Sequence, residues 1–245
     1  SSSPTGCSIP PDEMRRIAQV VSAHGGITLI DEIYLGLSHD DTYGQSALGL
    51  VGEGGERLGD DIISINSFSK YFNMTGWRLG WLVVPPALVE AFAMARAIPA
   101  LVPAIERLAQ NLFICPSTVS QLAALACFEP ESLAEYEHRR AEFKARRDYF
   151  IPELNRLGLS VPVLPDGAFY AWADCSAACR AWGLDADSPQ HGSWDFAFEL
   201  MKRAHLAATP GRDFGTANPQ RFIRFSTANS MAQLHEAIAR LERVL

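Results

Sequence analysis

Lysine stands at only three positions of this 245-residue chain, Lys70, Lys144 and Lys202, against eighteen arginines. Lys70 alone follows directly on an apolar run. It lies in SINSFSKYFNMTGWRLGWLVV (64–84), where Ser67, Ser69 and Arg78 are within eight residues of it. A lysine amine attacks carbonyl carbon, and forms Schiff bases with aldehydes, when its surroundings favour the neutral form. Hydroxyls and a guanidinium nearby suit a phosphate dianion, which rewards charge-assisted and bidentate hydrogen bonds. Asp31, closing the apolar run GITLIDE, is a carboxylate that could keep a heterocyclic ring nitrogen protonated, the state in which such a ring accepts electrons. Most lysines are solvated surface charges; the company of these groups sets Lys70 apart.

The elements that must position these residues follow from periodicity. SIPPDEMRRIAQVVSAHGG predicts a helix, with proline at its start, acids in its first turn, Gly25 as its stop, and Met14, Ile17, Ala18 and Val21 on one face. GITLIDE then predicts a buried strand, DIISINSFS a second and RLGWLVVP a third. Helix followed by buried strand is the rhythm of an α/β sheet. Asp31 and Lys70 fall at or just past the carboxyl ends of strands, where open α/β sheets bind ligands. From about residue 86 the pattern is helical, PSTVSQLAALACFE opens a helix at Pro116, and Glu131–Leu157 reads as one long charged helix. The run EHRRAEFKARRD in it reads as a solvated face. Beyond it LSVPVLPDGAFYAWADCS predicts strand, turn and strand, SWDFAFELMKRAHL a helix and RFIRFST a strand. A last helix begins at Ser230, with Gln233 closing a capping box and Met231, Leu234, Ile238 and Leu241 facing inward. The expected division is residues 1–134 as part of a large domain and 135–245 as a small one joined by the long helix.

Composition bounds the function. A net charge of −7 disfavours nucleic acid or an anionic membrane as partner. No stretch is apolar enough to span a bilayer and the N-terminus lacks the features of a secretory signal, so a cytoplasmic location is expected. Five scattered cysteines suit reduced core thiols. Cys175 and Cys179 lack partners to complete a metal site, and none is expected.

Six segments together carry a family resemblance. SFSKYFNMTGWRLGW resembles the lysine motif of the class I and II aminotransferases, which share fold type I of the pyridoxal-phosphate enzymes. DEIYLGL is similar to that family's pyridine-binding motif and SSSPTG to its Asn-Pro-Thr-Gly turn. PDGAFYAWAD, TPGRDFG and FIRFSTA resemble its small-domain motifs, and all six occur in family order. The implied fold is α/β: part of a mostly parallel sheet in the large domain plus a smaller α+β C-terminal domain. The implied cofactor is pyridoxal 5'-phosphate, and the implied reaction moves an amino group between an amino acid and a 2-oxo acid through a lysine aldimine. A β-eliminating lyase or synthase of the same fold, or a PLP-binding regulatory domain without turnover, are the alternatives.

Carried over by position, the resemblance makes Lys70 the catalytic Schiff-base lysine, Asp31 the partner of the ring nitrogen and Tyr34 the phenol at the ring hydroxyl. Ser67, Ser69 and Arg78 become phosphate ligands, with Trp77 and Trp81 implying a partly buried setting for Arg78. Arg224 becomes the substrate carboxylate ligand; the residues alone leave Arg221 its equal. Phe169 and Tyr170 are read as core more readily than as pocket lining. Ser3 stands where the family turn has asparagine, offering one hydroxyl in place of an amide. Family members carry over a hundred further residues ahead of this turn, so the chain resembles a C-terminal portion, with apolar surface and strand edges left exposed. Fold type I enzymes are typically homodimers, which is the implied assembly.

Overall fold

A computed structural model describes residues 2–41, 43–95 and 100–245. Ser1 of the first motif and residues 96–99 of the helical stretch after 86 lie outside the described residues. The chain divides into two compact units, Ile9–His138 and Arg139–Leu245 together with Ser1–Ser8. The division at 138/139 falls inside the long helix. The first eight residues group with the second unit because Asp166 accepts from Ser8 N and Oγ at 2.8 and 2.6 Å, while Asp166 N and Gly167 N donate to Gly6 O.

The first unit opens with helix α1, Pro11–Ala23, with proline in its first turn and Asp12 and Glu13 complementing its positive end. Its buried face is narrower than the periodicity predicts: Ala18 is buried and Met14 and Val21 partly so, but Ile17 is exposed. Strand β1 spans Thr28–Asp31, β2 Ile62–Ser67 and β3 Gly80–Val83. They form a sheet in the order β1-β2-β3, with β1 parallel and β3 antiparallel to β2. Side chains alternate across the pleat. Ile62 and Ser64 are buried beneath α1 and the turns carrying Ala47 and Leu58, whereas Leu29, Ile65 and Leu82 are exposed. β1 and β2 are therefore covered on one face only, and β3 is exposed at all four residues, so none of the three is buried on both faces as the apolar runs predict.

Helices α2, Pro86–Met94, α3, Leu101–Leu112, and α4, Thr118–Leu125, follow. α4 starts two residues after Pro116, with Ser117 as its N-cap residue. Helix α5 runs from Pro130 to Arg156.

The second unit has one continuous core, built on Phe150, Leu154, Phe196, Leu200, Ile223 and Leu241, all at most 2% exposed. Each such side chain contributes about 1.5–3 kcal/mol by leaving water. Strand β4, Tyr170–Asp174, precedes the short helix α6, Ser176–Ala181, and α7, Gly192–Ala204. Strand β5, Thr209–Pro210, strand β6, Phe222–Ser226, and helix α8, Met231–Glu242, complete it. The sheet order is β4-β6-β5, antiparallel throughout. The strand predicted at 159–163 does not form. Ser160 makes a single bridge to Asp174, because Pro162 lacks the N–H that a ladder needs. The capping box on α8 is present, Ser230 Oγ accepting from Gln233 N and the Gln233 side chain from Ser230 N.

Two further expectations change. Arg146 and Arg147 of the charged run are not solvated, their side chains being 18% and 13% exposed. Arg146 donates to Ala228 O and Arg147 to Pro165 O, so both tie loops to α5. Three cysteines, Cys127, Cys175 and Cys179, are core thiols, but Cys115 is exposed and Cys7 only partly buried. All five are unpaired, and no group of metal-binding side chains occurs among the described residues. No helix among them is long and apolar enough to cross a membrane.

Candidate active site

Strand parity assembles the first group of residues. Asp31 ends β1 and pairs in register with Ile65 of the parallel neighbour β2; Ser67 lies two residues further along β2. In-register residues of adjacent parallel strands point to the same face, as do residues two apart. Asp31 and Ser67 therefore share the open face, at the carboxyl ends of strands about 4.8 Å apart. Asp31 Oδ1 accepts from Ile33 N at 3.0 Å, which turns the chain toward Tyr34. Tyr34 is buried, and Lys70 Nζ lies over its ring, 5.6 Å from the centroid.

Aromatic anchors hold the loop that carries Lys70. Phe68 packs with Phe72 and Trp81, centroids 4.8 and 4.9 Å away, and belongs to a cluster with Met74, Leu79, Cys127 and Tyr136. Tyr71 packs edge-on to Phe72 and Tyr136 and donates to Glu137 at 2.7 Å. Gly36 lets Tyr71 approach: a Cβ there would lie 2.6 Å from Tyr71 Cγ. In FSKYF, then, residues 68, 71 and 72 are anchors and Ser69 and Lys70 stand between them.

Ser67 Oγ donates to Ser69 Oγ at 2.9 Å and accepts from Ser69 N at 3.0 Å. Thr75 Oγ1 donates to Ser69 O at 2.6 Å and Arg78 Nη1 to Thr75 O at 2.9 Å, so the turn links both serines to Arg78. Arg78 adopts a left-handed backbone, φ 51° and ψ 48°. A non-glycine residue there is strained by about 1–2 kcal/mol. Arg78 and both flanking tryptophans are exposed, Trp77 at 45% and Trp81 at 37%, which corrects the expectation of a partly buried setting.

Glu32 was not singled out from sequence. It is 7% exposed and accepts three hydrogen bonds, from Ser64 Oγ at 2.6 Å, Ser46 Oγ at 2.9 Å and Ala47 N at 2.7 Å. It fastens β2 and the 46–47 turn to the end of β1, beside Asp31. The only signal for it was the acid pair at the strand end, in which alternation puts one carboxylate on each face.

The second group lies in the second unit. Arg224, on the central strand β6, donates to Ser3 Oγ at 2.8 Å, and its Nη2 lies 3.5 Å from Thr209 Oγ1. Its Cζ is 4.3 Å from the Tyr170 ring centroid and 4.5 Å from that of Phe214. Arg221, equal to Arg224 on sequence, forms an ion pair with Asp174. Burial pushes Asp174 up, but hydrogen bonds from Ser176 and Arg221 outweigh it and hold the carboxyl below its usual range. Arg221 thus belongs to a structural pair. Tyr170 is buried yet lies against Arg224, joining the two readings that sequence set apart.

The donor set of the first unit matches the chemistry of pyridoxal phosphate: an amine for its aldehyde, a carboxylate for its ring nitrogen, a phenol for its ring hydroxyl, and two linked hydroxyls and a guanidinium for its phosphate. The family model for aminotransferase class I and II matches residues 1–241. The valine–pyruvate aminotransferase of Mycobacterium tuberculosis is 34% identical over 97% of this chain and 53% of its own length. A crystal structure of an aminotransferase from Mycobacterium tuberculosis has a TM-score of 0.78 at 33% identity, covering 99% of this chain and 55% of that one. The aromatic aminotransferase of Pyrococcus horikoshii gives 0.77 at 30% identity, covering 99% and 57%. The fold is thus the α/β fold of these fold type I enzymes, and this chain belongs to the aminotransferase class I and II family. Members of that family use pyridoxal phosphate. The chain spans about half the length of the relatives it matches.

Proposed function

We propose that the protein to which this chain belongs transfers amino groups between an amino acid and a 2-oxo acid with pyridoxal phosphate. The observation that carries the reading is the convergence of Asp31, Ser67 and the Lys70 loop at the carboxyl ends of two adjacent parallel strands, with Lys70 Nζ over the Tyr34 ring. The cofactor, when bound, supplies the carbonyl that takes up the amino group and a ring that stores the electron pair released at the substrate α-carbon. Lys70 would hold the cofactor through its aldehyde, and its amine is the base placed to carry the proton of the substrate α-carbon. Asp31 keeps the ring nitrogen protonated and Tyr34 donates toward the ring hydroxyl. Ser67, Ser69 and Arg78 bind the phosphate. Arg224, with Ser3 on its Nη1, receives the substrate carboxylate, for which its planar fork is suited.

In this reading Ile9–His138 is the C-terminal part of the large PLP-binding domain, and Arg139–Leu245 with Ser1–Ser8 the small domain. A homodimer in the cytoplasm fits the family and the acidic composition. That the relatives are aminotransferases supports transamination over β-elimination.

The test is to add pyridoxal phosphate to the purified chain, reduce with borohydride and map the modified peptide by mass spectrometry. A single modification at Lys70, absent from Lys70→Ala, is the expected result. Labelling spread over Lys144 and Lys202 overturns the assignment. Amino-group exchange with a panel of amino and 2-oxo acids then separates an aminotransferase from a protein that binds the cofactor without turnover.

A further inference from the structure

Arg224 is the middle residue of the middle strand of its sheet, opposite Trp172 of β4 and Thr209 of β5. Its backbone is thus fixed on both sides. An arginine side chain is long, however, and orienting its guanidinium costs rotamer freedom that a fixed backbone does not remove. Two aromatic rings address that problem. Tyr170, two residues before Trp172 on β4, and Phe214, on the turn after β5, both have centroids within 4.5 Å of Cζ. Each ring is held in turn. Trp172 meets Phe214 edge-on at 5.5 Å and stacks on Phe222 at 5.3 Å with planes 9° apart. Phe169 packs on Tyr170 at 4.6 Å.

Resting on the reading that Arg224 receives the substrate carboxylate, we propose that Tyr170 and Phe214 are positioning residues, which present the edge of the Arg224 guanidinium to that carboxylate. A planar guanidinium is attracted to ring faces by their quadrupole, and the contact occupies its faces while leaving its edge to hydrogen bonding. Ser3 Oγ and Thr209 Oγ1 draw on two of the five N–H donors. A bidentate carboxylate requires two more in the same plane. A ring pair that fixes the plane fixes where those donors point. Arg221, three residues earlier, shows the alternative fate, because its guanidinium is neutralised by Asp174.

The test uses the full chain, labelled with nitrogen-15, and 4-methyl-2-oxopentanoate as probe. In the unmodified chain the Arg224 Nε–H resonance is expected away from the ordinary arginine position, shifted by ring currents, and to respond to the probe. Phe214→Leu and Tyr170→Leu should move it toward the ordinary position and weaken binding about tenfold, the scale of a partly desolvated cation–ring contact. Phe214→Tyr and Tyr170→Phe, which keep the rings, should retain both within about threefold. The Trp182 indole N–H, bonded to Val244 O at 2.9 Å in the same unit, reports whether each variant is folded.

An unshifted Arg224 resonance in the unmodified chain overturns the proposal without any variant. So does a folded Phe214→Leu that binds the probe as the unmodified chain does. Lys70 labelling in the same samples separates the two readings: labelling with an unresponsive Arg224 removes the positioning role and leaves the cofactor assignment standing.

Discussion

Asp31 and Glu32 are adjacent carboxylates with opposite environments, because strand alternation puts one on the open face and the other under the sheet. Their substitutions should separate accordingly. Glu32→Ala leaves two hydroxyls and the Ala47 N–H without their acceptor, and should destabilise the first unit by about 3 kcal/mol or more. Urea unfolding would show this; a change under about 1 kcal/mol would mean water replaces the carboxylate at little cost. Asp31→Asn should leave the urea midpoint nearly unchanged yet weaken retention of pyridoxal phosphate, read from the visible absorption after dialysis. Gly36 tests the loop from outside. In Gly36→Ala the new methyl group meets the Tyr71 ring at 2.6 Å, so Tyr71 must leave Glu137, and borohydride-trapped labelling of Lys70 should slow several-fold with the lysine intact. Unchanged labelling would show that Tyr71 does not position the loop. At this scale the candidate residues were legible as types, since lysine, aspartate and arginine stand out in their apolar or glycine-rich surroundings. Their supports were not: Phe214 reaches Arg224 from ten residues away, Tyr170 from fifty-four and Ser3 from 221, and no local pattern encodes such contacts.

Elements repeat that division between local and distant causes. The α8 capping box was legible because it needs only Ser230 and Gln233, and its loss is a local event. Ser230→Ala should lower the stability of the second unit by about 1 kcal/mol, with Ser230→Asp restoring most of it; equal urea midpoints for all three would refute this. The carboxyl ends of β1 and β2 were legible because apolar runs stop at polar residues there. The burial of those strands was not, since an apolar run does not say how many faces are covered; Leu29 is 67% exposed. The 159–163 segment failed as a strand because Pro162 removed a ladder donor from within it, a signal present in the sequence but outweighed by its apolar alternation. The end of β4 also carries a pH dependence. Asp174 has a depressed folded pKa, so its contribution is fully present above the unfolded value of about 3.9 and is lost as pH falls through the folded one. Asp174→Asn should therefore be less stable than the unmodified chain at pH 7, and the difference should close below about pH 4. A gap that stays constant into acid would mean that packing, not the ion pair with Arg221, is what the substitution disturbs.

Across the whole chain, hydrophobic material is unevenly used. The second unit gathers its apolar side chains into one core, while the first splits them between two smaller clusters and leaves many outside. On α3, Leu108 and Leu112 are 65% and 76% exposed, and on α4 Val119, Leu122 and Leu125 are each 64–65% exposed. Within each helix these residues recur every three or four positions, so each presents an apolar stripe to solvent. Stripes of that kind mark interaction surfaces, or in isolation drive association, and at about 25 cal/mol per Å² several leucines suffice to hold weak contacts together. The chain should therefore self-associate with rising concentration in sedimentation velocity and bind a hydrophobic dye while folded. Leu108→Glu combined with Leu122→Glu should shift it toward monomer and reduce dye binding, with little change in urea midpoint, because neither side chain is part of a core. A chain that stays monomeric at high concentration, or a double variant that loses stability by more than about 1 kcal/mol, would show that these stripes are covered in solution rather than exposed.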